Sequence, residues 1–339
     1  MGKKDVVTKD YMDNAEVFAD AFNYFLFGGR EVIDPLKLHT MDTTEIGMPY
    51  GQGNTITPVQ KFRDDFKYLS AMEDETAAYL LLGIENQSEI HRAMAVKNMV
   101  YDALQYATQV EKAALSHRKA GKNKISGPEE ETVQGARKSP KAAEYLSGFY
   151  KEDRLIPVIT LVVLFSPEEW DAPMSLHEMF AITDKNLLSF VPDYKLNLIA
   201  PAQIDKEEMD KFKTSLREVL LYIKYSKDKK KLEELLKTDP SFKTVERKAA
   251  VVINTITNSK LKLDEKGEVI DMCQAIAELR EEMKTEGIEQ GIKQGIEQGT
   301  EQLGKLIAAL IASGRVDDAQ KAATDKQARD ILYKEFNIL

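Results

Sequence analysis

Two stretches of the chain are apolar without the alternation that a half-exposed strand would show. Ala78-Tyr79-Leu80-Leu81-Leu82-Gly83-Ile84 runs straight into Glu85-Asn86-Gln87-Ser88, and Leu155 to Phe165 is apolar and β-branched almost throughout. Short continuous apolar runs bounded by polar residues predict strands buried on both faces. Pro157 marks the beginning of the second strand. Phe66-Lys67-Tyr68-Leu69-Ser70-Ala71-Met72 predicts a further strand, joined to the first through the acidic turn Glu73-Asp74-Glu75, and Leu196 to Ala200 predicts a short edge strand.

Elsewhere the period changes to that of a helix. Val17, Phe18, Ala21, Phe22, Phe25 and Leu26 share a helical face, with Asp20 off that face, and Gly28-Gly29 stops the helix. After the Glu85 strand, Val96, Met99, Val100, Ala103, Ala107, Val110 and Ala114 outline the apolar face of a long helix. Its other face carries Arg92, Lys97, Asn98, Tyr101, Asp102 and Gln105. Residues 120–140 are rich in Gly, Lys, Ser and Pro and predict a loop. Helical spacing returns over 204–225, 229–237, 246–257 and 269–283. The expected organisation is a core over 1–200, an accessory helical region over 201–285 and a helical tail over 286–339.

The tail has a period of four: Gly287, Gly291, Gly295 and Gly299, with Ile288, Ile292 and Ile296 beside them. Each glycine costs a helix about 1 kcal/mol, but a row of small residues lets a second backbone approach closely. A period of four exceeds 3.6, so the row drifts around the helix and favours a crossing over a long straight seam. The pattern predicts a self-associating helix, hence a homo-oligomer, followed by a terminal helical pair over 308–339 with Gly314 in a turn.

Length and composition limit the function classes. A chain of 339 residues, 43% apolar and 30% charged, has the composition of a folded globular protein. A single cysteine, Cys273, excludes an intramolecular disulfide and a cysteine-based zinc site, and the four histidines lack metal-ligand spacing. The N-terminal residues lack the apolar core of a signal peptide, and the longest apolar run is too short to span a bilayer. A cytoplasmic protein with no membrane role is expected. The net charge of −9 argues against a nucleic-acid binder that uses its whole surface, and local basic runs matter more. One lies between Lys112 and Lys141 and includes Lys119, Lys122 and Lys124; a second comprises Lys224, Lys227, Lys229, Lys230 and Lys231.

Candidate chemistry gathers at the end of the first apolar strand. Side chains alternate along a strand, so Glu85 and Gln87 project from one face and Asn86 from the other. The hairpin brings the Asp64-Asp65 pair toward Glu85. Two carboxylates at strand ends suit magnesium, which keeps most of its waters and takes one or two protein carboxylates plus a substrate phosphate; that is phosphodiester chemistry. Tyr79-Leu80-Leu81-Leu82-Gly83-Ile84-Glu85-Asn86-Gln87-Ser88-Glu89-Ile90-His91 resembles the recombination-promoting nuclease or putative transposase family of the PD-(D/E)xK nuclease superfamily. The resemblance extends from about Asp10 into the glycine-periodic tail.

The resemblance implies a restriction-endonuclease-like α/β core, a mixed sheet flanked by helices, with the aspartate after Arg63 (Asp64) and Glu85 as the metal-binding pair. Asp65 is the fallback for Asp64, and Asp20, on the first helix, is an additional acid. Superfamily members usually carry a lysine two residues after the glutamate; here that residue is Gln87. An ammonium supplies charge to the developing phosphorane, whereas an amide supplies only hydrogen bonds. The expected function is a magnesium-dependent DNA endonuclease linked to recombination or mobile elements, with Asp64, Glu85 and Gln87 catalytic. Arg92, Lys97, Tyr101, Lys119, Lys122 and Lys124 are the expected DNA contacts. The alternative is a DNA-binding or oligomerising protein that keeps the nuclease fold with little or no catalysis.

Overall fold

The computed structural model describes residues 2–40, 44–47, 59–62, 65–69, 80–123, 142–263 and 267–338. They fall into two compact units, Met1–Cys273 and Gln274–Leu339. The sequence pattern had placed its divisions after 200 and after 285.

The first unit opens with two helices, α1 (Lys3–Met12) and α2 (Ala15–Phe27). Asn14 caps α2 by accepting from the Glu16 amide, and Gly28, at φ +64°, ends it as expected from the Gly28-Gly29 pair. Strands β1 (Leu38–Thr40), β2 (Thr44–Gly47), β3 (Val59–Phe62), β4 (Asp65–Leu69) and β5 (Leu80–Gln87) follow, with β2 and β3 forming a separate antiparallel pair. The long helix α3 (Met94–Asn123) and the short helix α4 (Ala142–Ser147) lead to strand β6 (Val158–Leu164). Helix α5 (Lys185–Leu188) and strand β7 (Asn197–Ile199) come next.

Five strands make one mixed sheet in the order β1-β4-β5-β6-β7. β4 runs antiparallel to its neighbours β1 and β5, while β5, β6 and β7 are parallel. The buried strand, the hairpin partner, the second apolar strand and the edge strand are thus all present. The acidic turn at 73–75, Ala78 and Tyr79 lie outside the described residues, as does most of the basic loop; residues 120–123 belong to α3. In register, Glu85 stands beside Val162 and Gln87 beside Leu164. Parallel partners share a face, so these four residues lie on one side of the sheet. Leu82, Ile84, Leu161 and Val163 lie on the other, and both faces are buried.

The remaining elements of this unit are α6 (Lys206–Met209), α7 (Leu216–Tyr225), α8 (Lys229–Thr238), β8 (Val245–Glu246), α9 (Arg247–Thr257) and β9 (Val269–Ile270). The helix expected over 204–225 is interrupted, for a reason distant in sequence. The Asp20 carboxylate accepts hydrogen bonds from the backbone amides of Lys213 and Thr214 and from the Thr214 hydroxyl, at 2.7–3.0 Å, which fixes a bend before α7. Tyr11 bonds to Ser215 at 2.9 Å, and α1 packs against α9. The helices after 200 therefore share a core with the N-terminal helices.

Helix α10 (Met272–Ala312) runs for 41 residues, from the end of the first unit into the second, through the whole glycine-periodic stretch. Its last turns pack with α11 (Val316–Thr324) and α12 (Lys326–Glu335) through Leu306, Leu310, Ala319, Ala322, Leu332 and Tyr333. Gly314, at φ +74°, makes the turn between α10 and α11, and Asp325 caps α12.

Candidate active site

β5 ends in a polar triplet within an apolar sheet, and α3 covers that end. Glu85 is 1% exposed, and its Oε2 accepts a 2.7 Å bond from the Lys97 ammonium, a residue 29% exposed at its side chain. The same ammonium lies 5.7 Å from the ring centroid of Tyr101, one helical turn further along α3. Tyr101 is itself buried. The pair is thus a carboxylate enclosed by the sheet and a cation held between it and an aromatic ring.

The rest of α3 is docked by polar contacts. Asp102 accepts from the Thr160 hydroxyl and from the Tyr194 hydroxyl, each at 2.6 Å, and Asn197 donates to the Thr160 carbonyl. Gln109 grips both the amide and the carbonyl of Ile156, and the Tyr106 hydroxyl accepts from the Val158 amide. Met94 and Ala95 pack on Val162, Leu164 and Trp170. Trp170 is therefore a core residue.

These contacts correct the expected orientation of α3. Asn98, Tyr101, Asp102 and Gln105, read from the pattern as its outward face, are buried, while Ala103, read as inward, is exposed. Pattern reading fails here because polar residues on this face are buried, Asp102 being satisfied by the Thr160 and Tyr194 hydroxyls, which apolar periodicity does not register. Lys97 is bonded to Glu85, and Tyr101, expected among the DNA contacts, is buried.

The other expected residues divide as follows. Gln87 sits half-buried at the end of β5, and its amide donates to the Asn86 carbonyl at 3.1 Å. Asp64 lies outside the described residues, and Asp65 has its backbone opposite Ile84. Asp20 is committed to the bend at 213–214, so the additional acid is a structural cap. Burial raises its carboxyl above the usual range, against the opposing effect of its hydrogen bonds to Thr214 and Lys213.

Arg92 is exposed and paired with Asp171 at 2.8 Å. Lys119 is exposed on α3, Lys122 lies within its last turn, and Lys124 is outside the described residues. The second basic run is largely occupied. Lys224 donates to the carbonyls of Pro201, Ala202 and Ile204, Lys227 pairs with Glu168, and Lys231 pairs with Asp228. Burial lowers the Lys224 ammonium below the usual lysine range.

Among the described residues no three His, Cys, Asp or Glu side chains are grouped to hold a metal, and no helix is long and apolar enough to cross a membrane. Compared with known proteins, the chain matches no family model, no curated protein and no solved structure.

Proposed function

We propose that the chain is a magnesium-dependent DNA endonuclease with a restriction-endonuclease-like core, related to the recombination-promoting nucleases, and that Glu85 and Lys97 are the centre of its site. One observation carries this reading: the 2.7 Å bond between Lys97 and the buried Glu85. It supplies an ammonium at the strand end where the sequence offers only the Gln87 amide. The cation arrives from the helix that follows β5.

The donor set is compatible with a hard cation. Magnesium needs only one or two carboxylates; Glu85 would be one and Asp64 the second. Bound there, the ion would polarise the phosphodiester and lower the pKa of a coordinated water. The residues supply the rest. Lys97 neutralises charge that develops on the phosphate oxygens, Gln87 hydrogen-bonds water or phosphate at the strand end, and Tyr101 limits the positions open to the Lys97 ammonium. Plasmid nicking with magnesium tests the reading. The wild type should nick, and Glu85→Gln and Lys97→Met should not; equal nicking by wild type and Glu85→Gln would reject it.

A second reading keeps the fold and DNA binding without catalysis. It is favoured by the engagement of the Gln87 amide with its own backbone. A wild type that binds DNA and leaves plasmid intact under the same conditions would select it.

Self-association through α10 belongs to the same proposal. Ile288, Ile292 and Ile296 are each more than half exposed, and a Cβ built on Gly287, Gly291, Gly295 or Gly299 meets nothing within 4 Å. Rows four residues apart on two such helices interdigitate at a crossing angle of about −50°. A twofold assembly would let two sites act on the two strands of DNA. Sedimentation of full-length Gly291→Leu/Gly295→Leu is the test: an oligomeric state unchanged from wild type removes the tail from the proposal.

A further inference from the structure

The polar stripe of α3 contains a side chain, Asn98, with no hydrogen-bond partner among the described residues. Asn98 is 1% exposed, and neither its amide nitrogen nor its amide oxygen has a hydrogen-bond partner among the described residues. A primary amide brings two donors and an acceptor with two lone pairs. Buried polar groups are bonded almost without exception, and when protein does not bond them, water or a ligand does.

Position narrows what that group does. The preceding residue, Lys97, is bonded to Glu85. Asp102, one turn on, is bonded to Thr160, the register partner of Gly83. Asn98 is thus on the face of α3 that packs on the side of the sheet from which Glu85 projects, and Gly83, two residues before Glu85 on that side, adds no side chain.

We propose that Asn98 is a positioning residue whose amide holds one water molecule against the Glu85 carboxylate. The role of that water rests on the hydrolase reading above; its presence does not. In that reading the water oxygen forms the new bond to phosphorus and the bond to the departing sugar oxygen breaks. The water loses a proton to solvent, and the sugar oxygen takes one up. Asn98 contributes orientation, the oxygen of its amide accepting one water hydrogen so that a lone pair is left for attack. An amide kept for this purpose is held at the expense of packing, as polar residues at working sites often are.

Two measurements on the full chain test the proposal. The first is a crystal structure fine enough to show ordered water. A water bonded to both Asn98 and Glu85 is expected, and an Asn98 amide bonded only to protein atoms overturns it. The second compares wild type, Asn98→Leu and Asn98→Ser in magnesium-dependent nicking and thermal unfolding. Asn98→Leu removes the buried amide and should melt no lower than wild type while nicking falls about 100-fold. Asn98→Ser, which keeps a donor and an acceptor, should retain more activity than Asn98→Leu. A folded Asn98→Leu that nicks at the wild-type rate overturns the catalytic role. If the wild type does not nick, the hydrolase reading has failed, and the crystal structure alone decides whether Asn98 holds its water.

Discussion

Lys97→Met removes a cation from a carboxylate that is almost wholly enclosed, and the structure sets the scale of the loss. Glu85 is 1% exposed at its side chain and Lys97 is 29% exposed, so solvent reaches one partner and not the other. Breaking a fully buried pair costs about 3–5 kcal/mol, because the remaining charge is uncompensated. Partial access of water at Lys97 reduces this, and methionine keeps most of the packing of the lysine stem, so a loss of about 2–3 kcal/mol at neutral pH is expected. Urea unfolding of wild type and Lys97→Met at pH 8 is the assay, with Glu85→Gln and the double variant completing a cycle. The penalty should be mostly abolished by adding Glu85→Gln. A Lys97→Met protein as stable as wild type at pH 8 would refute the pairing.

Other perturbations probe how the site is held. Asp20→Ala removes the acceptor of three hydrogen bonds from 213–214 and should cost about 3 kcal/mol in unfolding experiments while leaving any metal affinity of the folded protein unchanged. Gly28→Ala meets nothing within 4 Å and should cost about 1 kcal/mol for its left-handed backbone alone. Gly29→Ala would also drive a Cβ to 2.8 Å from the Lys211 Cβ and carbonyl, so it should cost clearly more. Gly291→Ala sits in open space on α10 and should raise helicity by circular dichroism, a gain of about 1 kcal/mol.

The sheet was legible because its strands are written as apolar runs that no other structure buries as well. The end of β5 at Gln87, the antiparallel β4, the start of β6 after Pro157 and the edge strand β7 all follow the pattern. The tail was legible as a helix despite its glycines, since isoleucine, glutamate and glutamine between them favour one. Three features were not. The bend before α7 comes from Asp20, nearly 200 residues away in sequence, and local spacing carries no trace of it. The inward face of α3 was misread because several of its buried residues are polar. Lys97 was therefore assigned to the surface. A signal was nevertheless present: Asn98, Asp102 and Gln105 recur at three- and four-residue intervals on one side of the helix, as buried residues do. Glu85 was singled out from its place at the strand end, whereas the bond it accepts from Lys97 could come only from coordinates.

The account stands on a divalent cation held by Glu85. Anomalous scattering from crystals soaked in manganese, a much stronger anomalous scatterer than magnesium with a similar preference for oxygen ligands, reads this directly. A peak within bonding distance of the Glu85 carboxylate, shared with Asp64, is the predicted result. A Glu85 carboxylate still bonded to Lys97 with no manganese beside it, the ion bound elsewhere or not at all, would contradict it.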